Sequence, residues 1–222
     1  MPLAGRPLVE WSIEALRAAE SVRSIVVAVP PAEGRGSPWD EQKLGRGGLG
    51  AVEGARLTVV EGGATRAQSV SNALEAVGTE LVAIHDAARP LVTSELIEGV
   101  VATLTADSDA SGAIAATPVT DTVKQGRVVT LPTDKGAKGS LEVESTLDRG
   151  RLWGAQTPQV FRVAALRAAL AADPERVAAA TDEAMLVEGA GGRVLIHPAP
   201  PENLKVTTPL DLKLAEALLA AR

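Results

Sequence analysis

The 222-residue sequence contains no cysteine and no tyrosine. Without thiols there can be no disulfide, no thiolate nucleophile and no cysteine-type metal site, and the composition suits a reducing compartment. Aromatic residues make up 2% of the chain, namely Trp11, Trp39, Trp153 and Phe161, too few for the stacking platforms that bind single-stranded nucleic acids. Positive charge is scarce as well. Lys and Arg number 22 against 28 Asp and Glu, a net charge of −6, so no global basic field draws in nucleic-acid phosphates and an anionic ligand needs a local basic site. Apolar runs are too short for a transmembrane helix, and residues 1–6 lead straight into an amphipathic pattern rather than a signal peptide. The expectation is a cytoplasmic protein that partners neither membrane nor nucleic acid.

What the sequence does have is 45% hydrophobic residues, chiefly Val, Leu, Ile and Ala, ample for one sizeable core. Its 21 glycines and 14 prolines stay below the roughly 25–30% that marks low complexity. Apolar periodicity predicts alternating elements. Helices are expected over Pro7 to Ala19, Arg66 to Ala76, Ser94 to Leu104, Val163 to Ala172 and Asp182 to Glu188, with a last helix opened by Thr208 and Pro209. Strands are expected at Ile25 to Val29, lying inside a sheet, and at Arg56 to Val60, Leu81 to Ile84, Ala113 to Ala116 and Arg193 to His197. Ala32 to Gly54 reads as an exposed loop or a loosely held helix. This alternation points to a mostly parallel three-layer α/β sheet. Between Val119 and Leu152 the pattern changes to Thr- and Val-rich pieces around a turn-prone Pro132 to Gly139. That is the signature of a β-hairpin arm outside the main sheet, which needs a covering surface such as a second subunit.

Chemistry-bearing residues fall at strand ends. Gly62-Gly63-Ala64-Thr65-Arg66 links a strand to a helix, where backbone can approach a ligand and free N–H groups can face it; the plain alternative is an ordinary turn with Arg66 in solvent. His85-Asp86-Ala87-Ala88-Arg89 follows a buried strand, at the end where open α/β sheets bind ligands. There Asp86 can hold a metal and Arg89 can grip a phosphate, unless the two form a surface ion pair and His85 packs in the sheet edge. Asp121 and Thr122 begin the arm and Asp148 and Arg149 end it, so charge pairing across the hairpin is their simplest use. Gln156-Thr157-Pro158-Gln159 reads as a turn, Thr181-Asp182-Glu183 as a helix cap, and Asn203 to Thr207 as a strand with Lys205 and Thr207 on one face.

Taken in order, the segments Leu3 to Trp11, Gly62 to Val70, His85 to Pro90, Asp121 to Lys124, Leu147 to Phe161, Thr181 to Ala184 and Glu202 to Leu212 resemble the 2-C-methyl-D-erythritol 4-phosphate cytidylyltransferases of the non-mevalonate isoprenoid pathway. The resemblance covers nearly the whole chain. It implies a Rossmann-like nucleotidyltransferase fold, a single domain over residues 1–222 with 119–152 as a dimerisation arm, a homodimer of exchanged arms, and CTP used with magnesium. It also implies roles: Gly62, Gly63, Ala64 and Ser69 around cytosine and ribose, Asp86 on magnesium, and Arg89 at the substrate side. Thr122 and Arg149 would reach into the partner's site, with Thr157, Thr181 and Lys205 completing the pocket and Lys205 nearest the reacting phosphates. Asp86, Arg149 and Lys205 are thus the expected catalytic residues.

In that family a strand, a Gly-rich loop bearing an arginine and a Pro-Lys pair precede the segment at which this sequence opens. The expectation is therefore an N-terminally incomplete domain with unpaired ladder groups and weakened stabilisation of the triphosphate. Ribitol-5-phosphate cytidylyltransferase and a catalytically impaired nucleotide-binding dimer are the alternative readings.

Overall fold

The computed structural model describes residues 2–30, 55–133, 136–172 and 174–222. The stretch Ala32 to Gly54 lies outside these residues. A short antiparallel pair, β1 (Pro2–Leu3) and β2 (Arg6–Pro7), turns the chain into α1 (Leu8–Ala18). Then come β3 (Ser24–Val29) and β4 (Arg56–Glu61), α2 (Arg66–Leu74), β5 (Leu81–Ile84), α3 (Ser94–Thr105) and β6 (Gly112–Pro118). The hairpin β7 (Lys124–Thr133) and β8 (Gly136–Thr146) follows, and after it β9 (Trp153–Arg162), α4 (Val163–Leu170), α5 (Pro174–Ala179), α6 (Glu183–Gly189), β10 (Val194–Pro198) and α7 (Pro209–Ala220).

The central sheet has the order β10-β6-β9-β5. β10 pairs parallel with β6, whereas β9 runs antiparallel to both β6 and β5, so one reversed strand sits among three of common direction. Alternation along the strands sorts the core into two layers. Leu81, Ala83, Ala113, Ala115 and Val160 face α1 and α3. Val82, Ile84, Ile114 and Phe161 face α2, α4 and α6. The result is the expected three-layer sandwich. Helix starts follow the sequence chemistry: Thr65, Thr93 and Asp182 accept from backbone N–H groups at the starts of α2, α3 and α6, and Thr208 with Asp211 closes a capping box on α7.

β3 is an exception to the expectation of a strand inside a sheet. Among the described residues it ladders only with β4, and β5 only with β9. Between β3 and β5 lies a cavity of about 350 Å³, lined by Ile25, Val26, Leu81 and Ala83 from the strands and by Leu16, Ile97, Val70 and Leu74 from the helices above and below. Helices on both faces, not ladder bonds, therefore connect the two sheets: α1 packs against both β3 and the β5 layer through Leu16.

β9 and the arm complete the picture. Gln156, Thr157 and Pro158 lie within β9, where the ladder with β6 shifts register between Ile114 and Ala116; they are not a turn. Polar side chains can occupy a central strand here because each finds a buried partner, described below. β7 and β8 pair along their length and leave Val128 and Leu141, cross-strand neighbours, 79% and 77% exposed.

Two outcomes follow from this architecture. In hydrogen exchange, amides of β3 and β5 should exchange faster than those of β6, which is laddered on both edges; equal protection would mean that another segment covers the facing edges. Asp211 accepts from the backbone N–H groups of Thr207 and Thr208, which holds its carboxyl at about 2. A depressed carboxyl stabilises the fold above its unfolded value near 4 and loses that contribution as pH falls toward 2. The Tm difference between wild type and Asp211→Asn should accordingly be largest near neutral pH and shrink between pH 4 and 2.

Candidate active site

The C-terminal ends of β4 and β5 bring together residues from four separated segments. Asp86, one residue past His85 at the end of β5, is the centre. Its Oδ2 lies 2.8 Å from Nζ of Lys205 and its Oδ1 lies 3.2 Å from Nη2 of Arg66. Burial alone would raise the Asp86 pKa, but Lys205 and Arg66 outweigh it and hold the carboxyl below its ordinary value. Arg66, though its side chain is 39% exposed, is ion-paired and not free in solvent. Its Nη1 donates to the carboxylate of Glu183, which is 1% exposed, and the two acids together raise the guanidinium pKa against burial.

The loop that delivers Lys205 is not a strand; residues 203–207 carry no ladder. It is fixed instead by buried polar contacts. Asn203 Nδ2 donates to Gln156 Oε1 at 2.8 Å and to the Thr157 carbonyl at 2.9 Å. Arg89 Nη1 donates to the Asn203 carbonyl at 2.7 Å, and Val206 N donates to the Ala88 carbonyl at 2.7 Å. Arg89 is thus buried, its pKa lowered by that burial against the attraction of Asp86, and among the described residues its Nε has no partner. Asp86 and Arg89 form no ion pair of their own; the Asp86 carboxylate is taken by Arg66 and Lys205.

His85 is half-buried, and desolvation lowers its pKa to about 4, against the Arg89 carbonyl and Asp86, which favour the cation. It is therefore neutral near pH 7. Nε2 lies 3.2 Å from the Arg89 carbonyl, which can only accept, so Nε2 carries the proton and Nδ1 accepts from the Thr157 hydroxyl at 3.1 Å. Thr157 Oγ1 in turn accepts the Asp86 N–H at 3.0 Å. This chain of bonds sets the backbone from which the Asp86 carboxylate projects.

The glycine turn after β4 lies alongside. A Cβ at Gly62 would sit 3.1 Å from the Val29 carbonyl and 2.9 Å from Ser69 Oγ, and one at Gly63 would sit 2.5 Å from Gln68 Cβ, so both places demand glycine. The expected free amides are engaged within the chain. Gly62 N donates to the Val29 carbonyl, Gly63 N to Ser69 Oγ and Ala64 N to Gln68 Oε1. A cavity of about 190 Å³ beside them is bounded by Val26, Ala28, Arg66, Ser69, Ile84 and His85.

Other predicted residues stand apart. Thr122 and Arg149 are exposed at the base of the arm, where Arg149 donates to the Thr120 carbonyl rather than pairing with charge across the hairpin. Thr181 is exposed with its hydroxyl on Met185 Sδ, and Asp182, not Thr181, caps α6. The Arg66–Glu183 pair, which joins the cluster around Asp86, is the contact that sequence reasoning missed. Its signal was faint: a cation in the first turn of α2, where the helix dipole disfavours it.

The donor set can be weighed directly. Among the described residues no group of three or more His, Cys, Asp or Glu could hold a metal. One accessible carboxylate flanked by cations suits a polyanion, with any magnesium taking most of its ligands from phosphate and water.

Comparison with known proteins agrees. The family model described as "IspD: 2-C-methyl-D-erythritol 4-phosphate cytidylyltransferase" matches residues 1–221. A protein of that name from Gloeobacter violaceus is 40% identical over 99% of this chain and 86% of its own length. A bifunctional enzyme IspD/IspF from an Anaeromyxobacter species is 42% identical over 100% of this chain, which spans 52% of that protein. The crystal structure of the cytidylyltransferase from Thermus thermophilus superimposes with a TM-score of 0.72 at 32% identity, covering 99% of this chain and 91% of that one.

Asn203→Ala removes the donor to two buried acceptors, Gln156 Oε1 and the Thr157 carbonyl. It should cost about 2–3 kcal/mol in urea unfolding; a loss under about 0.5 kcal/mol would show that the network does not hold the Lys205 loop.

Proposed function

The chain belongs to the 2-C-methyl-D-erythritol 4-phosphate cytidylyltransferase family, and from that premise we propose how its residues carry out the reaction. The enzyme transfers CMP from CTP to 2-C-methyl-D-erythritol 4-phosphate, giving 4-diphosphocytidyl-2-C-methyl-D-erythritol and pyrophosphate, a step toward isoprenoid precursors. The observation that carries the mechanism is the Lys205–Asp86–Arg66 cluster beside the glycine turn.

An oxygen of the substrate's phosphate attacks the α-phosphorus of CTP, the bond from that phosphorus to the bridging oxygen breaks, and pyrophosphate leaves with the electron pair. No side chain has to remove a proton, because a phosphate monoester with a second pKa of about 6 is largely dianionic at neutral pH. The protein's work is to position the reactants and neutralise their charge. Lys205, released from Asp86 by the incoming polyphosphate, is the cation placed to meet the charge that builds on the α-phosphate. Asp86 is the carboxylate that would hold magnesium, and magnesium, when bound, neutralises triphosphate charge. Gly62, Gly63, Ala64 and Ser69 border the nucleotide, whose base can exchange with Gln68 for the Ala64 amide. Arg89, Thr157 and Thr181 border the sugar-phosphate side.

The hairpin at 119–152 is the dimerisation arm of a single domain. Its exposed Val128 and Leu141 give it an apolar face to bury in a homodimer, and Thr122 and Arg149 at its base would then enter the partner's site. Among the described residues no helix is long and apolar enough to cross a membrane, and a cytoplasmic enzyme using small-molecule substrates is the reading that fits.

Pyrophosphate release from CTP, magnesium and methylerythritol phosphate tests the activity, with ribitol 5-phosphate as the competing acceptor. Turnover should follow methylerythritol phosphate, with kcat/KM for the ribitol ester lower by about 10²-fold or more; the reverse order would reassign the substrate. Lys205→Ala should lower kcat by about 10²-fold without unfolding the protein. Arg149→Ala should be inactive alone yet regain one site when mixed with Lys205→Ala subunits, since a trans-acting arm restores one complete site per mixed dimer. No recovery on mixing would place Arg149 in its own subunit's site or outside both.

A further inference from the structure

We propose that Arg66 is a positioning residue for the reaction, anchored by Glu183, and that it sets the plane of the Asp86 carboxylate opposite Lys205. The inference rests on the cytidylyltransferase reading and adds two residues to it.

Each partner is out of place by local rules, and each is explained by the other. Glu183 is a carboxylate 1% exposed in the first turn of α6, where the helix dipole helps it but burial demands a charged partner. Arg66 opens α2, where a cation opposes the dipole. Nothing in the stability of α2 asks for an arginine there. The guanidinium instead bridges two acids, with Nη1 on both oxygens of Glu183 and Nη2 on Asp86 Oδ1 at 3.2 Å. Only a planar fork can do this; an ammonium offers a single nitrogen. Asp86 Oδ2 is thereby left to Lys205 at 2.8 Å, so the charges alternate along Glu183, Arg66, Asp86 and Lys205.

The bridge joins distant elements: Arg66 follows β4 and Asp86 follows β5, and Glu183 holds the guanidinium from the other side. Its helix α6 packs through Ala184, Leu186 and Val187 into the same core as Phe161, Ile114 and Ile84 of the larger sheet, so a carboxylate fixed to that sheet holds an arginine carried by the smaller one.

The test uses Glu183→Gln, which keeps the shape, and Arg66→Lys, which keeps the charge but loses the fork. In thermal unfolding, Glu183→Gln and Asp86→Asn do not touch each other, yet their Tm shifts should be non-additive by about 3 °C and become additive within about 1 °C in an Arg66→Lys background. Equal coupling in both backgrounds, or none in the first, overturns the strut. In steady-state kinetics, each of Glu183→Gln and Arg66→Lys should lower kcat by about 10-fold or more while KM for CTP stays within about 3-fold. The double variant should be no slower than Arg66→Lys alone. Losses that multiply, or unchanged kcat values, overturn the positioning role. Wild-type pyrophosphate release is run in parallel. Its absence would favour the catalytically impaired nucleotide-binding reading, and the unfolding cycle, which needs no turnover, would still decide whether the strut exists.

Discussion

Everything at this site depends on one carboxylate being kept ionised while partly withdrawn from water. Asp86 is 18% exposed at its side chain, and burial of that degree would by itself favour the neutral acid. Two cations reverse the balance. Ion pairs this close to solvent contribute little to folding stability, so stability does not account for the convergence of residues from four distant segments on Asp86. What the arrangement secures is geometry and sign: a fixed anion between one anchored cation, Arg66, and one displaceable cation, Lys205, beside a turn that admits only glycine.

That geometry is carried by buried polar groups more than by apolar packing. β9 is the clearest instance. Its Gln156, Thr157 and Gln159 are all buried, and each bonds a different functional segment: Gln156 reaches Asn203, Thr157 reaches His85 and the Asp86 N–H, and Gln159 reaches Asp182 and the Ala184 N–H. A central strand built of Val and Leu at these positions would pack as well and would orient nothing. Networks of this kind are valuable only when complete, since one missing partner strands a buried polar atom. The loop carrying Lys205 illustrates this, because it has no ladder of its own and is oriented by such bonds, with Val206 packed beside Leu3 and Leu91.

These same bonds mark the limit of what the sequence discloses. Elements made by local rules were legible: apolar periodicity placed α2, α3, α4 and β4 to β6 within a few residues, and Thr208, Pro209 and Asp211 announced the start of α7. β9 was not, because Gln156-Thr157-Pro158-Gln159 has the polarity and proline of a turn, and the residues that make it a strand lie far away at 182 and 203. The Lys205 segment misled in the opposite sense. Leu204 and Val206 lend it the composition of a strand, yet it docks by a single backbone bond to Ala88 and by side chains. Asp86 and Lys205 were reachable through the resemblance of their motifs to a known family; the link from Arg66 to Glu183 spans 117 positions and leaves no local trace except a cation where a helix prefers an anion.

What apolar packing cannot do gives that last contact its weight. Helices on both faces bring the ends of β4 and β5 and the start of α6 near one another, but apolar contacts are non-directional. Directional bonds supply the orientation. The Gly62 N–H on the Val29 carbonyl ties the turn to β3, and the Arg66 fork, gripped by Glu183, ties the start of α2 to the larger sheet through α6. In the proposed positioning role, the orientation of the Asp86 carboxylate is then set from Glu183, a residue 117 positions away from the arginine that it grips.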